Sequence, residues 1–419
     1  MNIKQDRQSI NDITHGIIDN KHQFILQLFQ VFLVGLTIGM TRTVIPGLAE
    51  TEFGLAEQQF FLLTSFVIVF GVVKAVMNLL AGKLSDRYGR KAVLIAGWVV
   101  ALPIPFMLLY APNWNWIIAA TFLLGLNQGL AWSMALNSKL DLAKSTQKGL
   151  VNGLNEFSGY AAVGIAGVIT AYFVNLYGAR EGLFIFSTVV ITLGLLLSVV
   201  LVKNTMPWAE LHQQSAAPSE HQTLGQLFKT ASWTNPNLVA LNQAGLVEKF
   251  TDALVWIFLP VYFLSQNLTL VEGSAIISVY AVVWGGSQLI TGPLSDKIGR
   301  KGLIVWGMWF CGLGVLAIPL TETVFLWTLE AAFVGIGMAM LYPNLGATVA
   351  DFSPVKHRAS LIGIYRFWRD LGYAIGALAM GLMAQWLNSM EVAFWLVGLS
   401  MLLSGLWVQL IVPKKTDEQ

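Results

Sequence analysis

The sequence has few charged residues and almost no cysteine. Of its 419 residues, 11% are Asp, Glu, Lys or Arg, whereas 55% are hydrophobic. Soluble domains carry about 25% charged residues, so the composition excludes an ordinary soluble protein and indicates a chain that crosses a membrane many times. The single cysteine, Cys311, lies in an apolar run. No internal disulfide can form, and we expect Cys311 to be a packing residue.

The motifs of enzymes and of nucleic-acid-binding proteins are missing from the sequence as well. The net charge of +2 comes without a basic block, and no phosphate-binding loop of the form GxxxxGK[ST] occurs. No cluster of metal ligands and no nucleophile with a neighbouring base stands out. The sequence therefore predicts no enzyme, no cofactor, no metal and no nucleic-acid partner, and it excludes ATP-driven pumping by this chain alone.

Twelve apolar segments are long enough, at about 20 residues, to cross the hydrocarbon core as helices. We predict an all-α membrane protein. The predicted spans lie near residues 25–47, 58–81, 92–111, 115–137, 150–176, 181–202, 238–264, 273–292, 302–320, 324–348, 359–386 and 391–412.

Lys and Arg are concentrated in the connections of one side. The loops of the other side hold one basic residue, Arg180, beside several acids. By the positive-inside rule, both termini are then cytoplasmic in a bacterial-type inner membrane. Leu224, Leu227 and Phe228 are spaced as on a helix lying on the membrane surface. The predicted division is a cytoplasmic tail 1–23, a six-helix bundle 24–202, a cytoplasmic central loop 203–237, a second six-helix bundle 238–412 and a cytoplasmic tail 413–419.

The second half of the chain repeats the first. The segment GKLSDRYGRK at 82–91 recurs as GPLSDKIGRK at 292–301, with seven of ten positions identical at an offset of 210. The same offset aligns Trp132 with Tyr342 and Gly153 with Gly363. A register kept over three spans indicates two homologous halves, the parallel-repeat arrangement of a class of transporters.

Twelve spans with this decapeptide after spans 2 and 8 resemble the major facilitator superfamily, whose loop motif is G-x-L-[AS]-D-[RK]-x-G-[RK]-[RK]. The resemblance covers the whole chain. It implies two pseudo-symmetric six-helix bundles that move a solute by rocker-switch alternating access, with spans 1, 4, 7 and 10 around a central cavity. It says much less about the substrate.

The resemblance also implies that the motif latches the cytoplasmic side in the outward-open state. Glycines allow tight turns and close helix approach, and Asp86 can accept hydrogen bonds at the N-terminus of a neighbouring helix. Anchoring by positive charge alone would explain the basic residues but not the Gly and Asp. The latch residues are Gly82, Asp86, Arg87, Gly89, Arg90 and Asp141, with a weaker second latch of Asp296, Arg300 and Asp351.

Charges inside the spans are the candidates for function, since one charge at the bilayer centre costs about 2.5–3.5 kcal/mol. In YRFWRDLGY of span 11, Arg366, Arg369, Asp370 and Tyr373 share one helix face. A structural interpretation pairs Arg366, and Lys74 of span 2, with Asp370. A functional interpretation leaves one arginine free for the substrate, because two arginines outnumber one aspartate.

Other charges in the spans also have two interpretations each. Arg42 offers bidentate recognition of a carboxylate or phosphate, or a pairing role. Glu248 and Asp252 are like charges four residues apart, so one could carry a proton, whereas Lys249 could instead hold Asp252 in a static pair. Glu156, at the position equivalent to Arg366, is either a protonatable gate or an ion-pair partner across the interface.

The candidate substrate-binding residues are Arg42, Arg366, Arg369, Asn127, Gln128, Trp132, Tyr342 and Asn344. The candidates for proton coupling are Asp252, Glu156, Asp370 and Glu248. The amides and aromatics among them serve equally well as packing residues. Drug–proton antiporters of this superfamily carry an arginine three residues before a Gln-Gly pair, whereas this chain has Gly125 there. Proton-coupled export is therefore not secured by a motif.

The sequence thus predicts a monomeric secondary transporter for a small organic solute, coupled to protons. An anionic group on the solute is favoured by the arginines, and export is preferred by analogy with exporters that keep the first motif. The alternatives are an uptake symporter or exchanger for organic anions, a multidrug exporter, and a membrane sensor that binds without transporting.

Overall fold

The computed structural model describes residues 14–55, 59–214, 223–354 and 357–413. The predicted tails and central loop are therefore described only in part. Residues 1–13, 215–222 and 414–419, and the side chain of Asp296, lie outside the described residues.

Within the described residues, twelve long helical segments follow one another along the chain. They are α1 (Lys21–Thr51), α2 (Phe60–Tyr88), α3 (Arg90–Leu109), α4 (Trp114–Leu142), α5 (Lys148–Tyr177), α6 (Ala179–Val200), α7 (Pro236–Ser265), α8 (Leu270–Ile298), α9 (Arg300–Leu320), α10 (Val324–Asp351), α11 (Arg358–Leu387) and α12 (Glu391–Ile411). α3 is interrupted by turns at residues 100–103, where Pro103 and Pro105 remove backbone donors. α4 contains a π-helical segment, Gln128–Trp132.

Two of these helices differ from the other ten in polarity. Ten are long and apolar enough to cross a membrane, judged over the described residues. The remaining two, α7 and α11, have 30 residues each, but each carries three charged residues near its middle. Almost every side chain of α7 is buried. Its charges therefore face protein, as an ionised group inside a membrane requires.

The two halves meet through equivalent helix pairs. α2 packs along α11, and α5 packs along α8. The offset of 210 carries α2 onto α8 and α5 onto α11, so these pairs are related by the repeat. α1 and α7 also contact each other. We call the end of the bundle that carries segments 82–91 and 292–301 the motif end, and the other the opposite end.

Some helices approach so closely that only glycine fits. A Cβ atom added to Gly35 would lie 2.2 Å from the carbonyl oxygen of Gly159, and one added to Gly372 would lie 2.1 Å from that of Leu246. Gly82 differs, because a Cβ there would meet no atom within 4 Å. The close helix approach predicted at Gly82 is therefore absent from the part of the chain that the structure describes.

A short helix, Leu224–Lys229, precedes α7 and begins with a capping box formed by Thr223 and Gln226. The helix expected from the spacing of Leu224, Leu227 and Phe228 is thus present. The π-helical segment that follows it packs on α11, where the indole nitrogen of Trp368 donates to the Ser232 hydroxyl at 2.8 Å. The end of the central loop is therefore fixed to the second half.

The crowding at Gly372 predicts a large effect of adding one methyl group. We expect Gly372→Ala to lower the free energy of unfolding by about 1–3 kcal/mol, since the methyl group would meet a backbone carbonyl of α7. The measurement is the thermal unfolding midpoint of the purified protein in detergent. Gly363→Ala is the matched control, because it lies on the same helix with open space around it. Equal midpoints for the two variants would contradict the packing described.

Candidate functional site

A buried ion pair joins the two halves near the centre of the bundle. Arg42 of α1 binds both carboxylate oxygens of Asp252 on α7, at 2.5 and 2.9 Å. The Tyr373 hydroxyl donates to the same carboxylate, and the Trp256 ring lies 5.1 Å from the guanidinium carbon. Among the ion pairs between described residues, this one alone links the halves. Separating the halves here would pull apart two buried opposite charges, which is energetically costly.

Lys249, also on α7, lies between two carboxylates. Its ammonium nitrogen is 3.1 Å from Glu248 and 3.5 Å from Asp252. The rings of Trp284 and Tyr342 lie within 5 Å of the same nitrogen, at 4.9 and 4.8 Å. The expected pairing of Lys249 with Asp252 is thus present, but Lys249 is shared with Glu248, whose other oxygen has no hydrogen-bond partner.

The partners of Asp370 differ from those that the structural interpretation of YRFWRDLGY predicts. The guanidinium of the adjacent Arg369 donates to its two oxygens at 2.9 and 3.2 Å, and the Asn78 amide of α2 donates to one of them. Neither Arg366 nor Lys74 forms an ion pair with it among the described residues. The expected Arg366–Asp370 pair is therefore wrong, because Arg369 and Asn78 already occupy the carboxylate.

A pocket lies between the halves, on the motif-end side of the Arg42–Asp252 pair. Residues of both halves line it: Lys74, Trp132 and Glu156 from the first, and Tyr342, Arg366, Arg369 and Asp370 from the second. Trp132 and Tyr342 are equivalent in the repeat, and both contact the Tyr160 ring, with centroids 5.8 and 5.5 Å apart. The wall of the pocket is thus partly aromatic and partly charged.

Two cations of this pocket have no anionic partner among the described residues. Lys74 is only 8% exposed, yet it makes no hydrogen bond or ion pair there. Its ammonium group lies instead near the rings of Phe70, Trp132 and Tyr373, at 5.5, 5.7 and 5.3 Å. Such contacts stabilise a cation without neutralising it. Arg366 likewise lines the pocket without a hydrogen bond or ion pair, so both cations are available to an anion.

Glu156 is the carboxylate of the pocket that lacks an ion pair. One of its oxygens accepts a hydrogen bond from the Asn155 amide at 2.7 Å, and the other is buried without a partner. Lys139, fully buried on α4, attracts Glu156 electrostatically. The Lys139 ammonium donates to the backbone carbonyl of Gln27 at 3.0 Å and forms no ion pair with Glu156. Glu156 is 7% exposed and faces the pocket.

Four of the expected substrate-binding residues lie outside this pocket. The Asn127 amide donates to the carbonyl of Gly97 at 2.8 Å, and that of Gln128 donates to the carbonyl of Val34 at 2.9 Å. The Asn344 amide donates within α10, and Arg42 is held by Asp252. The structure brings together Trp132, Tyr342, Arg366 and Arg369. Lys74, which one interpretation of the sequence paired with Asp370, lies beside them in the pocket.

The motif residues hold the helix ends of their own half. Arg90 contacts Asp141 at 3.1 Å, and the equivalent Arg300 contacts Asp351. Gly89, with φ of +87°, makes the turn between α2 and α3. The Asp86 side chain is 66% exposed and lies 3.5 Å from Arg90, one turn further on. Among the described residues, the expected hydrogen bond from a neighbouring helix N-terminus to Asp86 is not formed. Arg87 lies over the ring of Tyr88.

Comparison with known proteins gives a consistent family. The family model described as Major Facilitator Superfamily matches residues 28–247 and again 244–419. A "Probable 4-methylmuconolactone transporter" of Cupriavidus pinatubonensis is 25% identical over 84% of this chain and 78% of its own length. The "Proton-coupled antiporter flippase LtaA" of Staphylococcus saprophyticus is 25% identical over 96% of this chain and 97% of its own.

A third relative and two solved structures are also named as pumps or transporters. The "Multi-drug resistance efflux pump PmrA" of Streptococcus pneumoniae is 22% identical over 86% of this chain and 89% of its own length. A D-xylose-proton symporter superposes with a TM-score of 0.74 at 17% identity, over 94% of this chain and 98% of that one. A POT family transporter in complex with 5-aminolevulinic acid also gives 0.74, at 14% identity over 91% and 94%. The likeness to these structures shows the fold.

The geometry of the buried ion pair predicts opposite effects of single and double substitutions. Arg42→Met or Asp252→Leu alone should lower the free energy of unfolding by about 3–5 kcal/mol, because the first leaves Asp252 with only the shared Lys249 and the second leaves buried Arg42 without a carboxylate. The double variant should recover most of that loss, since no stranded charge remains. Thermal unfolding midpoints of the four proteins test this. A double variant as unstable as the sum of the singles would show that the pair does not act as a unit.

Proposed function

Because the chain belongs to the major facilitator superfamily, and so is a multi-pass membrane transporter and not an enzyme, we propose that it carries a small organic anion. The observation that supports this most is the pair of cations, Lys74 and Arg366, that line the pocket between the halves without an anionic partner. Their burial makes an approaching anion's attraction stronger than it would be in water. Two cations without an anionic partner among the described residues favour a negatively charged solute.

The charge balance of the pocket agrees with such a substrate. Lys74, Arg366 and Arg369 oppose Glu156 and Asp370, three cations against two carboxylates. Since Arg369 and Asp370 neutralise each other, one positive charge remains in excess, which one carboxylate group of a substrate would balance. Ligand pockets combine apolar walls with a few polar groups that fix orientation. The facing rings of Trp132 and Tyr342 suit an apolar or cyclic body attached to that carboxylate.

Proton coupling is the second element of the proposal. Two of the similar proteins carry it in their names, the proton-coupled flippase and the D-xylose-proton symporter. In this chain Glu156, Glu248, Asp252 and Asp370 are the buried carboxylates from which the coupling group would come. The names of the similar proteins differ in cargo and direction. The support for an anionic substrate therefore comes from the pocket.

The orientation completes the proposal. With both termini cytoplasmic, in the inner membrane, the motif end faces the cytoplasm, and the chain works as a monomer. The conformation described is then the one in which Arg42 and Asp252 join the halves on the outer side of the pocket. The latch residues of the motif would come into contact across the halves when the cytoplasmic end closes.

A second candidate is export of lipophilic drugs, which the efflux-pump relative and the complete first motif favour. It differs from the main proposal in one respect that can be measured. A drug exporter would have no need of the unpaired cations Lys74 and Arg366, so their removal would leave binding unchanged.

A thermal-shift panel of carboxylates, lipophilic cations and neutral drugs on the purified protein separates these candidates. A ligand at 100 times its Kd adds about 2.7 kcal/mol of stability. We expect carboxylates with a cyclic body to stabilise the parent, and Arg366→Gln or Lys74→Gln to remove most of that shift. Arg358→Gln, which removes the same charge from the exposed start of α11, is the control and should respond like the parent.

The outcomes of the panel are distinct. Stabilisation by lipophilic cations that persists in Arg366→Gln would replace the anion proposal with drug export. Binding without exchange of labelled carboxylate in proteoliposomes would indicate a sensor that has kept the fold.

The exposed Asp86 predicts a separation of binding from transport. Asp86→Asn should leave the ligand-induced thermal shift within about 0.5 kcal/mol of the parent, as expected for an exposed surface site, while slowing counterflow in proteoliposomes. The reason is that Asp86 would gain partners across the halves only when the motif end closes. Counterflow equal to that of the parent would remove Asp86 from the latch.

A further inference from the structure

Two pairs of opposite charges occupy equivalent positions of the two halves. Arg42 and Asp252 are 210 residues apart, which is the offset of the repeat. Glu156 and Arg366 are also 210 residues apart. In each pair, one half has an acid and the other half has an arginine at the equivalent position.

The Arg42–Asp252 ion pair is formed in this structure, whereas Glu156 and Arg366 are not in contact as an ion pair among the described residues. Equivalent residues that face the pseudo-twofold axis meet when the halves come together at their level, and Arg42 and Asp252 do so, at 2.5 Å. Glu156 and Arg366 lie on the motif-end side and line the same pocket. They attract each other electrostatically but form no ion pair, and one Glu156 oxygen is buried without any partner.

We propose that Glu156 and Arg366 close the motif-end side of the pocket as Arg42 and Asp252 close its other side, and that Glu156 must take up a proton before the motif end can close over a bound anion. This inference rests on the proposed function, because the anion is what competes with Glu156 for Arg366. It assigns to Glu156 the coupling of proton to substrate.

The need for a proton follows from the charges that the empty and the loaded transporter would each bury on closing. When the pocket is empty, closure brings ionised Glu156 onto Arg366, and the two charges compensate each other. When a substrate carboxylate holds Arg366 and Lys74, closure would bury ionised Glu156 beside a second carboxylate and without the arginine that it pairs with in the empty form, which is unfavourable. A proton taken from the water at the motif end and later released at the opposite end removes that charge.

One proton would therefore accompany each anion in the same direction. The empty transporter returns with the Glu156–Arg366 pair formed, and so without the proton. For a monocarboxylate the cycle carries no net charge. Under a proton gradient directed inward this is uptake by symport, which differs from the export favoured by analogy with the motif.

The groups around Glu156 come from several helices. Lining the same pocket are Lys74 on α2, Tyr342 on α10, and Arg366, Arg369 and Asp370 on α11. Asn155 on α5 donates a hydrogen bond to it, and Lys139 on α4 and Tyr160 on α5 interact with it electrostatically. From α1, Gln27 accepts the hydrogen bond of Lys139. From α8, the uncharged Trp284 packs on Tyr160. Cations thus outnumber acids around this carboxylate, and a proton is needed only once an anion has occupied Arg366.

The first test needs no substrate. Lys144 and Pro354 are exposed, equivalent positions in the two motif-end loops. Spin labels on Lys144→Cys and Pro354→Cys, in a Cys311→Ala background in nanodiscs, report the opening of the motif end. Raising the pH from about 5 to about 8 spans the titration range of a carboxylate in a protein. It should increase the short-distance population of the ligand-free parent, as ionised Glu156 closes on Arg366.

Glu156→Gln, which resembles the protonated form, should lose the short-distance population at every pH. Glu156→Asp, which keeps the carboxylate, should retain the pH response. A Glu156→Gln distance distribution that follows pH like that of the parent would overturn the proposal. So would a short-distance population that is unaffected by Glu156→Gln.

The second test is transport of the carboxylate that gave the largest shift in the panel, with benzoate as the first probe and with the accumulation in protein-free liposomes, due to benzoic acid crossing the lipid, subtracted. One unit of inward pH gradient should concentrate a monocarboxylate about tenfold in parent proteoliposomes, since one proton per anion transfers a tenfold ratio. Glu156→Gln should lose accumulation but keep counterflow, which requires only the loaded form. Accumulation by Glu156→Gln would overturn the coupling, as would accumulation in the parent driven by membrane potential alone.

These tests also separate the two proposals. A panel in which no anion depends on Arg366 would refute the proposed function, while the distance measurement on the empty protein would still decide whether Glu156 and Arg366 close the motif end.

Discussion

An ionised side chain inside a membrane has to find its partners in the protein, and this requirement positions α7 and α11. Each carries three charges that would be too costly against lipid, so α7 lies in the interior of the bundle and α11 turns its charged face inward, with Leu378 and Leu382 exposed on its other face. α7 is held to α1 by Arg42 and Asp252, and α11 is held to α2 by Asp370 and Asn78. The pocket is the space that these central contacts leave on one side. Its position follows from where the buried charges could be compensated.

The sequence predicted the architecture better than the pairing of its charges. The repeat, the twelve helices and the family follow from the length of the apolar segments and from one decapeptide, because both are local patterns. Which arginine reaches Asp370 is not local. A helical wheel places Arg366 and Arg369 on the same face, but the choice between them depends on Asn78, a residue of another helix. The π-helical segment that brings Trp132 to the pocket has no pattern of its own.

One pairing could have been predicted and was not. The offset of 210, applied to the loop motif, also relates Arg42 to Asp252, and opposite charges at equivalent positions near a pseudo-twofold axis are expected to meet. The same comparison picks out Glu156 and Arg366. Lys74 illustrates the contrary case, because its partners are the faces of three aromatic rings, and no charge pattern in the sequence marks such a site.

The open space around Gly82 means that a stability measurement on this conformation cannot detect every residue that matters. Its repeat equivalent Gly292, and the related Gly153 and Gly363, also have no atom within 4 Å of an added Cβ. A larger side chain at any of them would not strain the present conformation. In the conformation proposed to have a closed motif end, it would clash with the neighbouring helices. A cost of about 1–3 kcal/mol there would shift the balance between the two conformations roughly 5- to 150-fold. Such substitutions would yield a well-folded, ligand-binding protein arrested on one side of the membrane.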